Sequence, residues 1–133
     1  MNEIVRTREP ETLSAKAYWA PEYWDIERRE IWAKTWVLVT HRSDFVKPGD
    51  FVTATVAGYP ILLLKGEHGL RAFHNVCRHR ASPVVLSECG HVERLTCPYH
   101  AWRYDFEGHL VNAPAMAIEK EDYGLFPARA MAA

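Results

Sequence analysis

The chain has 133 residues, 48% hydrophobic and 25% charged, with a formal net charge of −1. That is enough for one domain with a modest core, and the near-neutral charge leaves no electrostatic footprint for nucleic acid or an anionic membrane. Apolar runs such as Ile61–Leu64 are far too short to span a bilayer, and Met1–Lys16 mixes acids and bases without the apolar centre of a secretory signal.

Residues 1–17 are polar and aperiodic and read as a flexible arm. A helical segment is expected over 18–35. Pro21 suits a first helical position, Glu22 and Asp25 complement the positive end of the dipole, and Ile26 to Trp32 carry the helix to about Lys34. Four of the five tryptophans, at 19, 24, 32 and 36, fall in or beside this segment. They read either as anchors of the helix on a sheet or as a docking face, since Trp is enriched at binding hot spots.

From Trp36 the pattern changes to short strands. Trp36–Thr40, Phe51–Val56, Pro60–Lys65 and Leu70–Val76 read as strands, with turns at Lys47–Asp50, Gly58–Pro60 and Gly66–Gly69. Arg94–Thr96 is a short strand, and Ala101–Phe106 with His109–Val111 is a further hairpin. From Ala113 onward Pro, Ala and charged residues suggest a covering loop. The fold class is therefore all-β, antiparallel, preceded by one helix.

Cysteine is scarce: Cys77, Cys89 and Cys97. An odd count without a secretory signal argues against a disulfide framework and for a reducing compartment, the cytoplasm. Two of the three belong to a repeated pattern, Cys77-Arg78-His79 and Cys97-Pro98-Tyr99-His100, with seventeen residues between His79 and Cys97. Each half offers one thiolate and one imidazole from a loop between strands. Four such donors suit a tetrahedral zinc site. They also suit a two-iron two-sulfur cluster in which two histidines replace two cysteines on one iron. The tight Cys-x-His spacing favours the cluster. With two thiolates its oxidised core is neutral, whereas four leave it doubly negative. The reduction potential accordingly rises from roughly −400 mV to between about −150 and +300 mV.

The runs Ala72-Phe73-His74-Asn75-Val76-Cys77-Arg78-His79-Arg80 and Cys97-Pro98-Tyr99-His100-Ala101-Trp102-Arg103-Tyr104-Asp105, with Gly108 and Leu110-Val111 following, resemble the Rieske domain of ring-hydroxylating oxygenase alpha subunits. The resemblance runs from about Tyr18 to Arg129 and includes Pro48-Gly49-Asp50. It implies a Rieske iron–sulfur fold over 36–133, with the cluster-binding part at about 74–104. It also implies that Cys77 and Cys97 bind the inner iron and His79 and His100 the outer one. Ala81 and Ala101 stand where the family usually has Gly. Respiratory Rieske proteins carry an extra disulfide-forming Cys in each loop and a Ser donor to a sulfide. Here the loops have no extra Cys, and Trp102 takes the place of the Ser, which favours the low end of the potential range. Cys89 reads as a small, half-buried side chain. Arg78, Arg80, Arg94 and Arg103 either brace the loops or form a basic collar for an acidic partner.

By the same resemblance the chain is the electron-transfer part of a Rieske oxygenase of aromatic hydrocarbon catabolism. A ferredoxin or flavin reductase is its donor, a catalytic domain or neighbouring subunit its acceptor, and the full enzyme a trimer. The mononuclear iron of such enzymes needs two His and a carboxylate. After His100 only His109 remains, so no catalytic residue is assigned here. The family's domain usually continues past a stretch like Leu125–Arg129, so the chain is expected to be either a portion of an alpha subunit or a short protein whose edge another chain covers, and it is not expected to hydroxylate alone. A self-standing Rieske ferredoxin and a structural zinc module are the alternatives.

Overall fold

The computed structural model describes residues 12–131. These fall into two compact units, divided between Trp36 and Val37. The expected arm over 1–17 lies for residues 1–11 outside the described residues, and Ala15–Tyr18 forms a single 3-10 turn.

In the first unit, helix α1 spans Pro21–Glu27 with Pro at its first turn, and a single π turn, Arg28–Trp32, extends it. The expected continuous helix to Lys34 thus changes its hydrogen-bonding after Glu27. Neither segment buries a side chain, and Trp24 and Trp32 are 49% and 42% exposed.

The second unit is built on two antiparallel sheets. Strands β1 (Asp50–Val56), β2 (Tyr59–Gly66), β3 (Gly69–His74), β4 (Cys89–His91) and β8 (Pro127–Ala128) form one sheet in the order β4-β1-β2-β3-β8. Strands β5 (Leu95–Thr96), β6 (Arg103–Tyr104) and β7 (Leu110–Asn112) form the other. The β1–β2 turn uses Ala57 and Gly58, both at positive φ (50° and 81°), between the partners Val56 and Tyr59. This is the primed geometry that matches strand twist.

Trp36–Thr40, expected as a strand, forms none. The free side of β1 is taken by β4, with Phe51 opposite Gly90, and Leu38 is 93% exposed. A 3-10 turn follows at Arg42–Asp44. In the expected covering loop after Ala113 the chain instead makes a 3-10 turn, Lys120–Tyr123, and then β8, which pairs with β3.

The core lies where Phe51, Leu62, Leu64 and Phe73 of the larger sheet meet Leu95, Trp102, Tyr104 and Leu110 of the smaller one, and Cys77 and Cys97 belong to it. Each fully buried large apolar side chain contributes about 1.5–3 kcal/mol. Gly108 (φ +88°) closes the β6–β7 turn against this core, because a Cβ there would lie 2.5 Å from Phe73 Cε1. Among the described residues no helix is long and apolar enough to cross a membrane.

A candidate two-loop metal centre

The two candidate loops hang on one backbone frame. In the first, the Cys77 N–H donates to Ser82 O (2.8 Å) and the Ala81 N–H to Cys77 O (3.0 Å). In the second, the Cys97 N–H donates to Trp102 O (2.8 Å) and the Ala101 N–H to Cys97 O (3.0 Å). Both frames turn through a left-handed residue at the same place, Ala81 at φ 56° and Ala101 at φ 57°. That is the physical reason glycine is expected at these two positions.

The frame sets the four residues in two pairs, Cys77 beside Cys97 and His79 beside His100. Cys77 and Cys97 are each 2% exposed, while His79 is half-buried and His100 exposed. The imidazole centroids are 4.6 Å apart at 70°. The sulfurs therefore face inward and the nitrogens outward. Among the described residues no three His, Cys, Asp or Glu side chains converge as a single-ion site requires. A zinc centre gathers its ligands around one ion, whereas a bridged two-iron core separates a sulfur pair from a nitrogen pair. The donor set fits the second arrangement.

Several groups around the donors tune and support them. The Tyr104 hydroxyl accepts from the Arg78 N–H (3.1 Å) and lies 3.3 Å from Cys77 Sγ; toward a thiolate sulfur, which has no proton to give, the hydroxyl is the donor. Burial pushes the Cys77 thiol up; the Tyr104 hydroxyl and the His79 backbone N–H oppose that shift, and Cys97 adds to it. Burial, and then the Cys77 hydrogen bond, holds the Tyr104 phenol far above its ordinary range. Desolvation, His100 and Arg80 together lower the His79 imidazole. A neutral imidazole is the form that binds a metal.

Asn75, buried just before the first loop, ties it to the following segment. Its Nδ2 donates to Val85 O (2.8 Å), and its Oδ1 accepts from the N–H groups of Val84 and Val85 (3.0 Å each). Neither Asn75 nor Tyr104 was singled out by the sequence. The inward phase of Trp102 and Tyr104 on either side of Arg103 is the signal that points to Tyr104.

Arg78 takes the bracing role. Its Nη1 donates to Gly124 O (3.0 Å) and its guanidinium lies 3.9 Å from the centre of the Phe126 ring. Arg80, Arg94 and Arg103 are exposed. Cys89, expected half-buried, is exposed on β4, because that strand sits at the sheet edge. His91 is held between Asp50 (2.9 Å) and Glu93 (3.2 Å). His74 sets its ring against Tyr59.

Comparison with known proteins places this geometry. The Rieske [2Fe-2S] domain family matches residues 35–121. The chain is 34% identical over 130 residues to the glycine betaine monooxygenase oxygenase subunit of Pseudomonas aeruginosa, covering 94% of this chain and 30% of that protein. It is 32% identical over 120 residues to the chlorobenzene dioxygenase alpha subunit of a Cupriavidus species, covering 86% and 27% respectively. Among solved structures, a quaternary ammonium Rieske monooxygenase in complex with L-carnitine superposes with a TM-score of 0.78 at 35% identity, over 84% of this chain and 33% of that one. The chain thus spans less than a third of the length of the curated relatives it matches. The fold, the paired loops and these matches agree: the chain belongs to the Rieske [2Fe-2S] domain family and corresponds to the Rieske part of oxygenase alpha subunits.

Proposed function

We propose that Cys77 and Cys97 bind the inner iron of a two-iron two-sulfur cluster and His79 and His100 the outer one. The observation that carries this reading is the matched pair of loops, which buries both sulfurs and leaves the two imidazoles 4.6 Å apart toward the surface. Bound there, the cluster supplies a one-electron carrier at Rieske-type potential. The chain's own residues define that environment. Tyr104 donates toward the Cys77 sulfur, desolvation lowers the pKa of the half-buried His79, and the exposed His100 offers an imidazole edge for electron exchange.

In this reading the chain is the electron-transfer part of an oxygenase alpha subunit. A ferredoxin or flavin reductase supplies single electrons, and a mononuclear iron in the catalytic domain, of the same or a neighbouring subunit of a trimer, receives them. Residues 36–133 form the Rieske domain, and the parent polypeptide works in the cytoplasm. The relatives named above act on a quaternary ammonium compound and on an aromatic ring. Substrate contacts belong to the catalytic domain, so identities of 34% and 32% over this segment do not choose between those substrates.

The test is composition. The purified chain should hold two iron and two acid-labile sulfide, with the red-brown colour of the cluster, and Cys77→Ser or Cys97→Ser should abolish assembly. One equivalent of zinc and no sulfide would overturn the assignment. The loaded chain should be reduced and reoxidised readily yet form no hydroxylated product when reductase and candidate substrates are added. The chain covers only the Rieske part of its oxygenase relatives, and the iron that activates oxygen needs an open site of its own.

A further inference from the structure

We propose that Trp102, backed by Tyr123, is a positioning residue for His79: the indole face sets the plane in which that imidazole meets the outer iron. The inference rests on the ligand assignment above. The indole and the imidazole are stacked almost parallel, with centroids 4.9 Å apart and an interplanar angle of 8°. Behind the indole, Tyr123 packs edge-on at 5.6 Å and 81°. Tyr123 is itself fixed by the segment that follows it. The Leu125 N–H donates to Gly108 O (2.7 Å), Phe126 O accepts from the His74 N–H (2.8 Å), and Gly124 O accepts from Arg78. The wall behind His79 is therefore anchored to both sheets and to the first ligand loop.

The choice of tryptophan is informative. Trp102 is 1% exposed and its Nε1 is buried with no hydrogen-bond partner. Among the described residues the indole N–H finds no acceptor, so none of them fixes the ring by a hydrogen bond. What it offers beyond phenylalanine is a broader ring face against the imidazole. Metal-bound histidines are usually oriented by a hydrogen bond to the far ring nitrogen; within this chain the stack adds a separate constraint on the plane of the ring. His100 has no such wall. It is exposed, and the Tyr99 ring tilted over it at 3.9 Å is itself 58% exposed. The two outer-iron ligands are thus inequivalent, His79 fixed and His100 presented.

The test uses the cluster-loaded chain and its Trp102→Phe, Trp102→Leu and Tyr123→Leu variants. Iron and sulfide content of the unaltered chain comes first, and its absence would sink the ligand assignment rather than this inference. The g-values of the reduced cluster by electron paramagnetic resonance then report ligand orientation at the outer iron, a readout that general destabilisation does not move. Trp102→Leu with full cluster content should shift the g-values beyond the linewidth, Trp102→Phe should fall between it and the unaltered chain, and Tyr123→Leu should shift them less in the same direction. Unchanged g-values in a fully loaded Trp102→Leu variant would overturn the proposal. So would a Trp102→Phe variant displaced as far as Trp102→Leu, because the effect would then belong to the N–H and not to the ring face. If Trp102→Leu fails to load, Tyr123→Leu decides: shifted g-values at full loading support the stack, and unchanged ones overturn it.

Discussion

The two ligand loops share a frame and differ in everything around it. Residues 77–82 and 97–102 close through the same pair of backbone hydrogen bonds and the same left-handed alanine. The first loop is tied down on several sides, by Asn75 to Val84 and Val85, by Tyr104 to Arg78 and Cys77, and by Arg78 to Gly124 and Phe126. In the second, every residue between Cys97 and Trp102 is exposed. The difference teaches that the frame sets where the proposed ligands stand, while the surroundings make the first loop the held one and the second the exposed one.

The largest effect should come from cutting the ties of the first loop. Asn75 is 5% exposed and satisfies one backbone carbonyl and two N–H groups. Asn75→Ala leaves these buried and unpaired, at about 1–3 kcal/mol each before relaxation. We expect a loss on the order of 3 kcal/mol in urea unfolding of the loaded chain. Tyr99→Ala in the second loop should cost no more than about 0.5 kcal/mol, as surface changes usually do. Equal losses for the two would break the contrast between a held and a presenting loop.

Much of this was legible in the sequence, because ligand spacing, turn residues and strand alternation are local signals. The Cys-x-His and Cys-x-x-His runs picked out residues that the fold sets in two pairs, Cys77 beside Cys97 and His79 beside His100. Strands β1 to β3 followed from Val, Thr, Ile and Leu between turns. What stayed hidden was non-local. Cys89-Gly90-His91 and Pro127-Ala128 have poor strand propensity, yet each becomes a strand by pairing with an existing edge, Gly90 with Phe51 and Pro127 with Phe73. Conversely, Trp36–Thr40 has the composition of a strand yet joins neither sheet, and the side of β1 away from β2 is taken by β4. Tyr104 reaches a sulfur 27 positions away, a contact no spacing rule announces.

A smaller effect should separate tuning from support. Tyr104→Phe keeps the ring and removes the donor to Cys77 Sγ. A hydrogen bond to the sulfur favours the more negative, reduced state, so its loss should lower the potential. A tenfold change in the reduction equilibrium corresponds to about 59 mV for one electron, and a shift on the order of 50 mV is expected for one bond to a charged group. An ordinary tyrosine begins to lose its proton near pH 10. Tyr104 is held above that range by burial and by Cys77, so it stays a donor, and the difference between the two proteins should be constant to about pH 10. A gap that closes as pH rises through 9 would show that the phenol ionises and that the donor assignment is wrong.

The smallest effect tests the frame itself. Ala81 and Ala101 sit at φ 56° and 57°, both exposed, so a glycine there relieves strain without opening a cavity. A non-glycine residue in this conformation costs about 1–2 kcal/mol, and glycine gives part of that back through its greater freedom in the unfolded chain. Each of Ala81→Gly and Ala101→Gly should therefore stabilise the loaded chain by about 0.5–1 kcal/mol in chemical denaturation. Ala57→Gly, at φ 50° in the β1–β2 turn, supplies the same change away from the ligands. If the frame alone sets the strain, the three gains should agree within about 0.5 kcal/mol, since the sites are independent. A gain at Ala101 well above that at Ala81 would mean that the second loop stores strain the first does not, and that the loops differ in their backbone as well as in their surroundings.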